Sequence, residues 1–376
     1  MKRLSPFLVI ILFAGCASIP PPPPFRPSEI LGIQVAPRIK MAYNHRDTAT
    51  PLVTDQMILI GNQTGGLYAY DRFDGTLLWD FQIRNGVESQ PTMDGDRIYV
   101  GGNDGKIYCL DLQGTKLWDY KFKGQIWSQP AVTSGIVYVS IAVDQLYALD
   151  AKTGKYLWHF KTPLKGGDPT VRALSSPRVS DSVVYIGFAD GFLYAINRFD
   201  GGLIWQQQLG GGLRLKDVDA TPVFDGADLF VASFDKRLFS LSKHSGSIRW
   251  SFEYGGFRPV AVEDGVLFYS STGGEVFAMD KNTKLVKWTF KVPTGVPTQP
   301  VVVGDIVVVG GSEKNLYGID RVTGEEVWRL ETSQGFNGGL AEFQGKIYAQ
   351  TDFGYLYGID PELIVPRTTQ SFARLR

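Results

Sequence analysis

The chain has 376 residues, and 38 basic residues face 38 acidic ones, so no basic excess marks a nucleic-acid surface. Hydrophobic residues at 44% with 20% charged exclude bulk disorder. Forty-three glycines and 13% aromatics suggest many short strands joined by tight turns, while two cysteines are too few to staple such a length, so stability falls to a core.

Lys2 and Arg3 make a short positive region, and Phe7 to Phe13 form an apolar run too short to span a bilayer. The segment Leu12-Phe13-Ala14-Gly15-Cys16 resembles a bacterial lipobox, although leucine is commoner than Phe13 at its place. The resemblance implies a signal peptide over residues 1–15 and a lipidated Cys16. Ala17 after the cysteine favours the outer membrane, by analogy with lipoprotein sorting. Removal of residues 1–15 leaves 36 basic against 38 acidic residues, a balance of −2. Residues 16–36 read as a tether, with Pro20 to Pro24 favouring extended polyproline II. No second apolar run is long enough to cross a membrane, so the lipid anchor is the expected membrane contact.

From residue 37 a single repeat recurs. Leu67-Tyr68 is followed by Ile107-Tyr108, Leu146-Tyr147, Leu193-Tyr194, Leu238-Phe239, Val276-Phe277, Leu316-Tyr317 and Leu356-Tyr357, at intervals of 38 to 47 residues. A tryptophan follows the first seven copies, from Trp79 to Trp328, and a glycine stands four residues before it except at Lys284. A proline precedes each apolar stretch, as at Pro51, Pro91, Pro130 and Pro177. Trp127 lies outside the series. Each unit reads as four short strands with glycines at the turns, where a positive φ is needed. Eight such units predict an all-β fold, an eight-bladed β-propeller of four-stranded antiparallel blades over residues 37–361, with a tail over 362–376. The tryptophans fall on the outermost strands and are expected to pack between blades.

The eighth copy lacks its glycine–tryptophan strand, because Pro361 follows Asp360. Ile39-Lys40-Met41-Ala42-Tyr43 is expected to supply it and close the ring, since an open blade leaves unpaired edges.

Spacing also singles out one region. Trp79 to Pro91 is 12 residues, but Trp158 to Pro177 is 19 and Trp205 to Pro222 is 17. Two consecutive connections are therefore enlarged, and both run from an outer strand to the next inner strand. They should adjoin on one face, and insertions in repeat proteins commonly fall on the binding face. Arg172 in the first offers a planar fork for carboxylates or carbonyls, with Val171 as an apolar neighbour. Asp217 and Asp219 in the second would accept from a partner, or Asp219 could hold its own loop through backbone bonds. Charged decoration paired within the chain is the structural alternative.

Leu146-Tyr147-Ala148-Leu149-Asp150-Ala151-Lys152-Thr153-Gly154-Lys155-Tyr156-Leu157-Trp158 resembles the PQQ-like propeller repeat, which is shared by quinoprotein dehydrogenases and non-enzymatic scaffolds. With the lipobox and the proline tether, the chain resembles the BamB family of outer-membrane protein assembly factors. Asp217-Val218-Asp219-Ala220-Thr221-Pro222 is similar to that family's Asp-Val-Asp-Thr-Thr-Pro segment. Val171-Arg172 before Ser175-Ser176-Pro177 is a weaker match, with Ala173 and Leu174 replacing Gly and Glu. The resemblance implies that Val171, Arg172, Asp217 and Asp219 contact the periplasmic POTRA region of the barrel insertase BamA. It implies a lipid-anchored scaffold, without cofactor or catalysis, that assists folding and insertion of outer-membrane proteins. Unfolded outer-membrane proteins are a second expected partner.

A PQQ-dependent periplasmic oxidoreductase and another protein- or carbohydrate-binding propeller of the envelope are the alternatives. Against the first, Cys109 has no neighbouring cysteine, and it is expected to be a buried core thiol. His45, His159 and His244 have no short metal-ligand spacing. Gly210-Gly211-Gly212 lacks the strand–turn–helix context of a dinucleotide site.

Overall fold

The computed structural model describes residues 30–34, 47–142, 144–162, 175–210, 217–233, 237–256 and 258–361. Among them, 32 strands form eight four-stranded antiparallel sheets. Blade 1 runs through Leu52–Val53, Met57–Gly61, Gly66–Asp71 and Leu77–Gln82, from the ring's centre to its rim. Blades 2 to 7 repeat this order over residues 92–121, 131–161, 178–208, 223–252, 261–291 and 301–330.

The two middle strands of each blade are buried because neighbouring blades cover both of their faces, whereas the outer strand is only half covered. The core is accordingly eight apolar clusters, one between each pair of adjoining blades. Leu59 of blade 1 packs with Ile98 and Val100 of blade 2, and Tyr348 and Leu356 of blade 8 pack with Ile58 and Tyr68 of blade 1.

The tryptophans join blades, as expected. Trp118 Nε1 donates to Ala151 O at 3.1 Å, Trp158 Nε1 to Arg198 O at 3.1 Å, and Trp288 Nε1 to Arg321 O at 2.9 Å, each in the following blade. The glycine of the next hairpin lies flat against each ring. Gly154 has φ +70°, and a Cβ there would sit 2.6 Å from Trp118. Each tryptophan also faces a small residue on its own third strand: Trp79 pairs with Ala69, Trp205 with Ala195 and Trp328 with Gly318. Cys109 fills that place opposite Trp118 and is fully buried. Burial holds its thiol pKa above the usual value, so it acts as packing material.

Closure by an N-terminal strand holds, but the strand is not the expected one. Blade 8 comprises Leu340–Phe343, Lys346–Gln350 and Tyr355–Ile359, and its outer strand is Ile30–Gln34. Ile30 pairs with Ile359 and Gln34 with Tyr355. Ile39 to Tyr43 lie outside the described residues, and the boundary between tether and propeller, drawn at 36/37, moves upstream to include 30–34. Both segments are apolar enough to form a strand. It is Ile30–Gln34 that pairs along all five residues of Tyr355–Ile359, with Leu31 opposite Gly358 at the position a tryptophan takes in blade 7.

Candidate docking face

Connections between blades are stitched to the turns between second and third strands. Phe122 N donates to Gly105 O at 2.8 Å, Leu209 N to Gly191 O at 2.9 Å and Val292 N to Gly274 O at 3.0 Å. The Asp104-Gly105, Asp190-Gly191 and Gly273-Gly274 turns therefore share one face with the connections, as the repeat arithmetic requires.

The strands of blade 4 leave 16 and 14 residues for the connections into and out of it, against nine for 83–91 and 122–130, and the described ends of both, 175–177 and 217–222 among them, lie on this face. Their bases are bonded together. Ser176 N donates to Thr221 Oγ1 at 3.0 Å, and Ser175 Oγ donates to Ala220 O at 3.4 Å. Gln129 N donates to Ser176 Oγ at 2.9 Å, which extends the chain of contacts into blade 3. The side-by-side arrangement of the two connections is thus present at their bases.

Val171 and Arg172 lie outside the described residues. Asp217 and Asp219 do not project outward as expected. They are 1% and 3% exposed, on either side of a fully buried Val218. Val218 N donates to Phe188 O at 3.1 Å, and its side chain packs into the cluster between blades 4 and 5. That anchor turns the flanking carboxylates inward. The apolar residue between two acids was a signal that sequence reading passed over.

Asp219 lines a central channel of about 380 Å³ that opens on the same face. Thr50, Gln90, Gln129, Thr221, Arg258 and Gln299, each immediately before a landmark proline, also line it. Proline cannot donate to a ladder, so it suits the inner edge strand, and it holds the preceding residue extended. The proline series therefore positions a polar ring. Arg258 Nη2 donates to Asn337 O at 2.5 Å, and burial lowers its pKa to about 10. Trp127, the tryptophan outside the repeat series, lines the same channel.

Two acids lie near the base of the first long connection: Asp190, of a hairpin turn the repeat pattern places on this face, and Asp144, which the sequence reading did not single out. Asp144 Oδ1 accepts from Ala189 N at 3.1 Å, and Asp190 Oδ2 accepts from Tyr194 OH at 2.6 Å. Burial raises the pKa of both carboxyls, and the charge of Asp190 raises Asp144 further. His159 is an outer-strand residue, hydrogen-bonded to Tyr156 and stacked on Tyr147. Among the described residues no three His, Cys, Asp or Glu side chains converge as a metal-ligating group, and no helix is long and apolar enough to cross a membrane.

Residues 40–120, 63–290 and 288–362 match the family described as outer membrane protein assembly factor BamB. A relative of that name from Shewanella oneidensis is 31% identical over 145 residues, 38% of this chain and 37% of its own length. The Escherichia coli K12 relative is 29% identical over 148 residues, 39% and 38% of the two chains. These alignments span less than two fifths of the relatives' length. The BamB crystal structure from Moraxella catarrhalis superposes with a TM-score of 0.77 at 19% identity, covering 89% of this chain and 99% of that one. A quinohemoprotein alcohol dehydrogenase from Pseudomonas putida HK5 superposes at 0.70 with 14% identity, covering 92% and 79%. At these identities the two superpositions speak for the fold.

Proposed function

The chain belongs to the family of the outer membrane protein assembly factor BamB, and on that premise we propose that it is a non-enzymatic lipoprotein scaffold of outer-membrane β-barrel assembly. Cys16 carries the lipid, residues 17–29 form the tether, and the propeller stands on the periplasmic face of the outer membrane. The face bearing the two long connections docks on the POTRA region of a BamA-like insertase. One observation carries this reading: the only blade with enlarged connections at both ends, among those described, has the bases of the two bonded together on a single face. Val171 and Arg172 supply an apolar and a planar cationic contact. Asp217 and Asp219 are buried at the base of the second connection, and Asp219 lines the channel.

Affinity recovery from detergent-solubilised membranes tests the docking. The wild-type chain should bring down the insertase, and Arg172→Glu should lose most of it while keeping its thermal midpoint. Undiminished recovery by that variant would set the docking reading aside. Cys16→Ser should move the protein from the membrane to the soluble fraction. The oxidoreductase reading predicts a spectral change or dye reduction on adding PQQ and calcium, and none is expected.

A further inference from the structure

The outer strand of each blade ends its sheet and presents a row of backbone N–H and C=O groups. Soluble proteins blunt such edges with charge. Six of the eight outer strands follow that rule. Leu77–Gln82 carries Asp80, and Lys116–Lys121 carries Lys116, Asp119 and Lys121. Tyr156–Lys161 ends in Lys161, and Ile248–Phe252 holds Arg249. Val286–Lys291 holds two lysines, and Glu326–Leu330 holds Glu326 and Arg329.

Blade 4 departs from the rule. Its outer strand, Leu203–Gln208, reads Leu-Ile-Trp-Gln-Gln-Gln, and no charge occurs between Asp200 and Arg214. Leu203 and Ile204 are 48% and 49% exposed. The amides of Gln207 and Gln208 turn back on the carbonyls of Gln208 and Gly210, both at 3.1 Å. Both bonds are neutral, the first exposed and the second part-buried, and an incoming strand can replace such bonds at little net loss. The one other uncharged outer strand, Ile30–Gln34, belongs to blade 8, across the ring. Blade 4 alone combines a neutral edge with the two enlarged connections.

We propose that the free edge of Leu203–Gln208 is a β-augmentation site for an extended, uncharged polypeptide segment with alternating apolar and polar residues. Main-chain hydrogen bonds supply the attachment, and the absent charge supplies the selectivity. A charged strand would lose ionic hydration against this edge without gaining an ion pair, whereas a neutral alternating strand gives up only polar hydration that its main-chain bonds replace. Strands destined for a membrane barrel have this chemistry, with about ten residues of alternating character. The identity of the guest rests on the barrel-assembly reading above; the availability of the edge does not.

The test uses the purified full chain and a fluorescein-labelled ten-residue peptide of alternating valine and threonine. Anisotropy should report binding, and hydrogen exchange should show new protection of amides in 203–208. Gln206→Lys combined with Gln208→Lys should weaken binding by at least about tenfold, a change of about 1.4 kcal/mol. Ser251→Lys on the already charged blade 5 edge should leave it unchanged. Equal affinity of the double variant overturns the proposal, as does protection that appears elsewhere in the ring. Exchange on the wild-type chain locates the site even if the double variant folds poorly. No insertase is present, so failure here leaves the docking reading standing, and failed docking leaves this result intact.

Discussion

At the scale of the residue, the repeat is held by a few atoms in fixed relation. Gly154 needs its left-handed backbone and also needs to lack a Cβ, because the Trp118 ring occupies that space. Gly154→Ala should therefore cost about 2–4 kcal/mol, read as a lower denaturant midpoint at constant slope. Lys284 occupies the corresponding place in blade 6 with φ +64°. Lys284→Gly should raise the midpoint by up to about 1 kcal/mol, the left-handed penalty less the extra freedom glycine brings to the unfolded chain. Acid sensitivity is also a property of these hairpins. The Thr153 hydroxyl, then backbone N–H groups, hold the Asp150 carboxyl below its usual pKa, and the Thr283 and Thr323 backbones do the same for Asp280 and Asp320. Folded values below the unfolded value of about 3.9 mean stability that is present above that pH and lost as pH falls through the folded values. Replacing all three by Asn should flatten the fall in denaturation midpoint below about pH 4; an unchanged acid profile would contradict this account. Most of this scale was legible in the sequence. The glycines and tryptophans were visible as a period, but a period does not say that a glycine serves the tryptophan of the preceding blade.

At the scale of the element, the closing strand is the instructive case. A missing fourth strand was apparent from Pro361, and so was the need for an N-terminal segment to replace it. Strand propensity did not distinguish Ile30–Gln34 from Ile39 to Tyr43, because the discriminating partner is the edge of Tyr355–Ile359, more than 300 residues away. Deleting residues 30–34 should lower the thermal midpoint by about 10 °C, since it exposes the full edge of blade 8. A deletion that melts with the intact chain would show that some other segment closes the ring. The two long connections divide in the same way. Their lengths and their shared face followed from counting residues between landmarks. The burial of Asp217 and Asp219 did not, because it depends on Val218 finding a pocket between blades 4 and 5.

At the scale of the whole molecule, eight similar cores meet in a closed circle, so stability is a sum of neighbour interfaces plus the closure term. With the closing strand removed, hydrogen exchange should accelerate first in blades 8 and 1, the pair bridged by Gly339 N to Thr50 Oγ1 at 2.8 Å, and only later across the ring in blade 4. Uniform acceleration would mean that the ring unfolds as one unit and that closure has no local character. By itself the sequence determined the fold class, the number of blades, the inter-blade place of the tryptophans and the blade bearing the long connections. Each of these is a periodicity, and periodicity survives in one dimension. Tertiary structure decided which strand closes the ring, that the residues before the prolines form a channel, that the loop aspartates turn inward, and that an uncharged edge stands between the two long connections. Each of these depends on residues far apart in the chain meeting across a blade or across the ring axis, and no local pattern encodes that meeting.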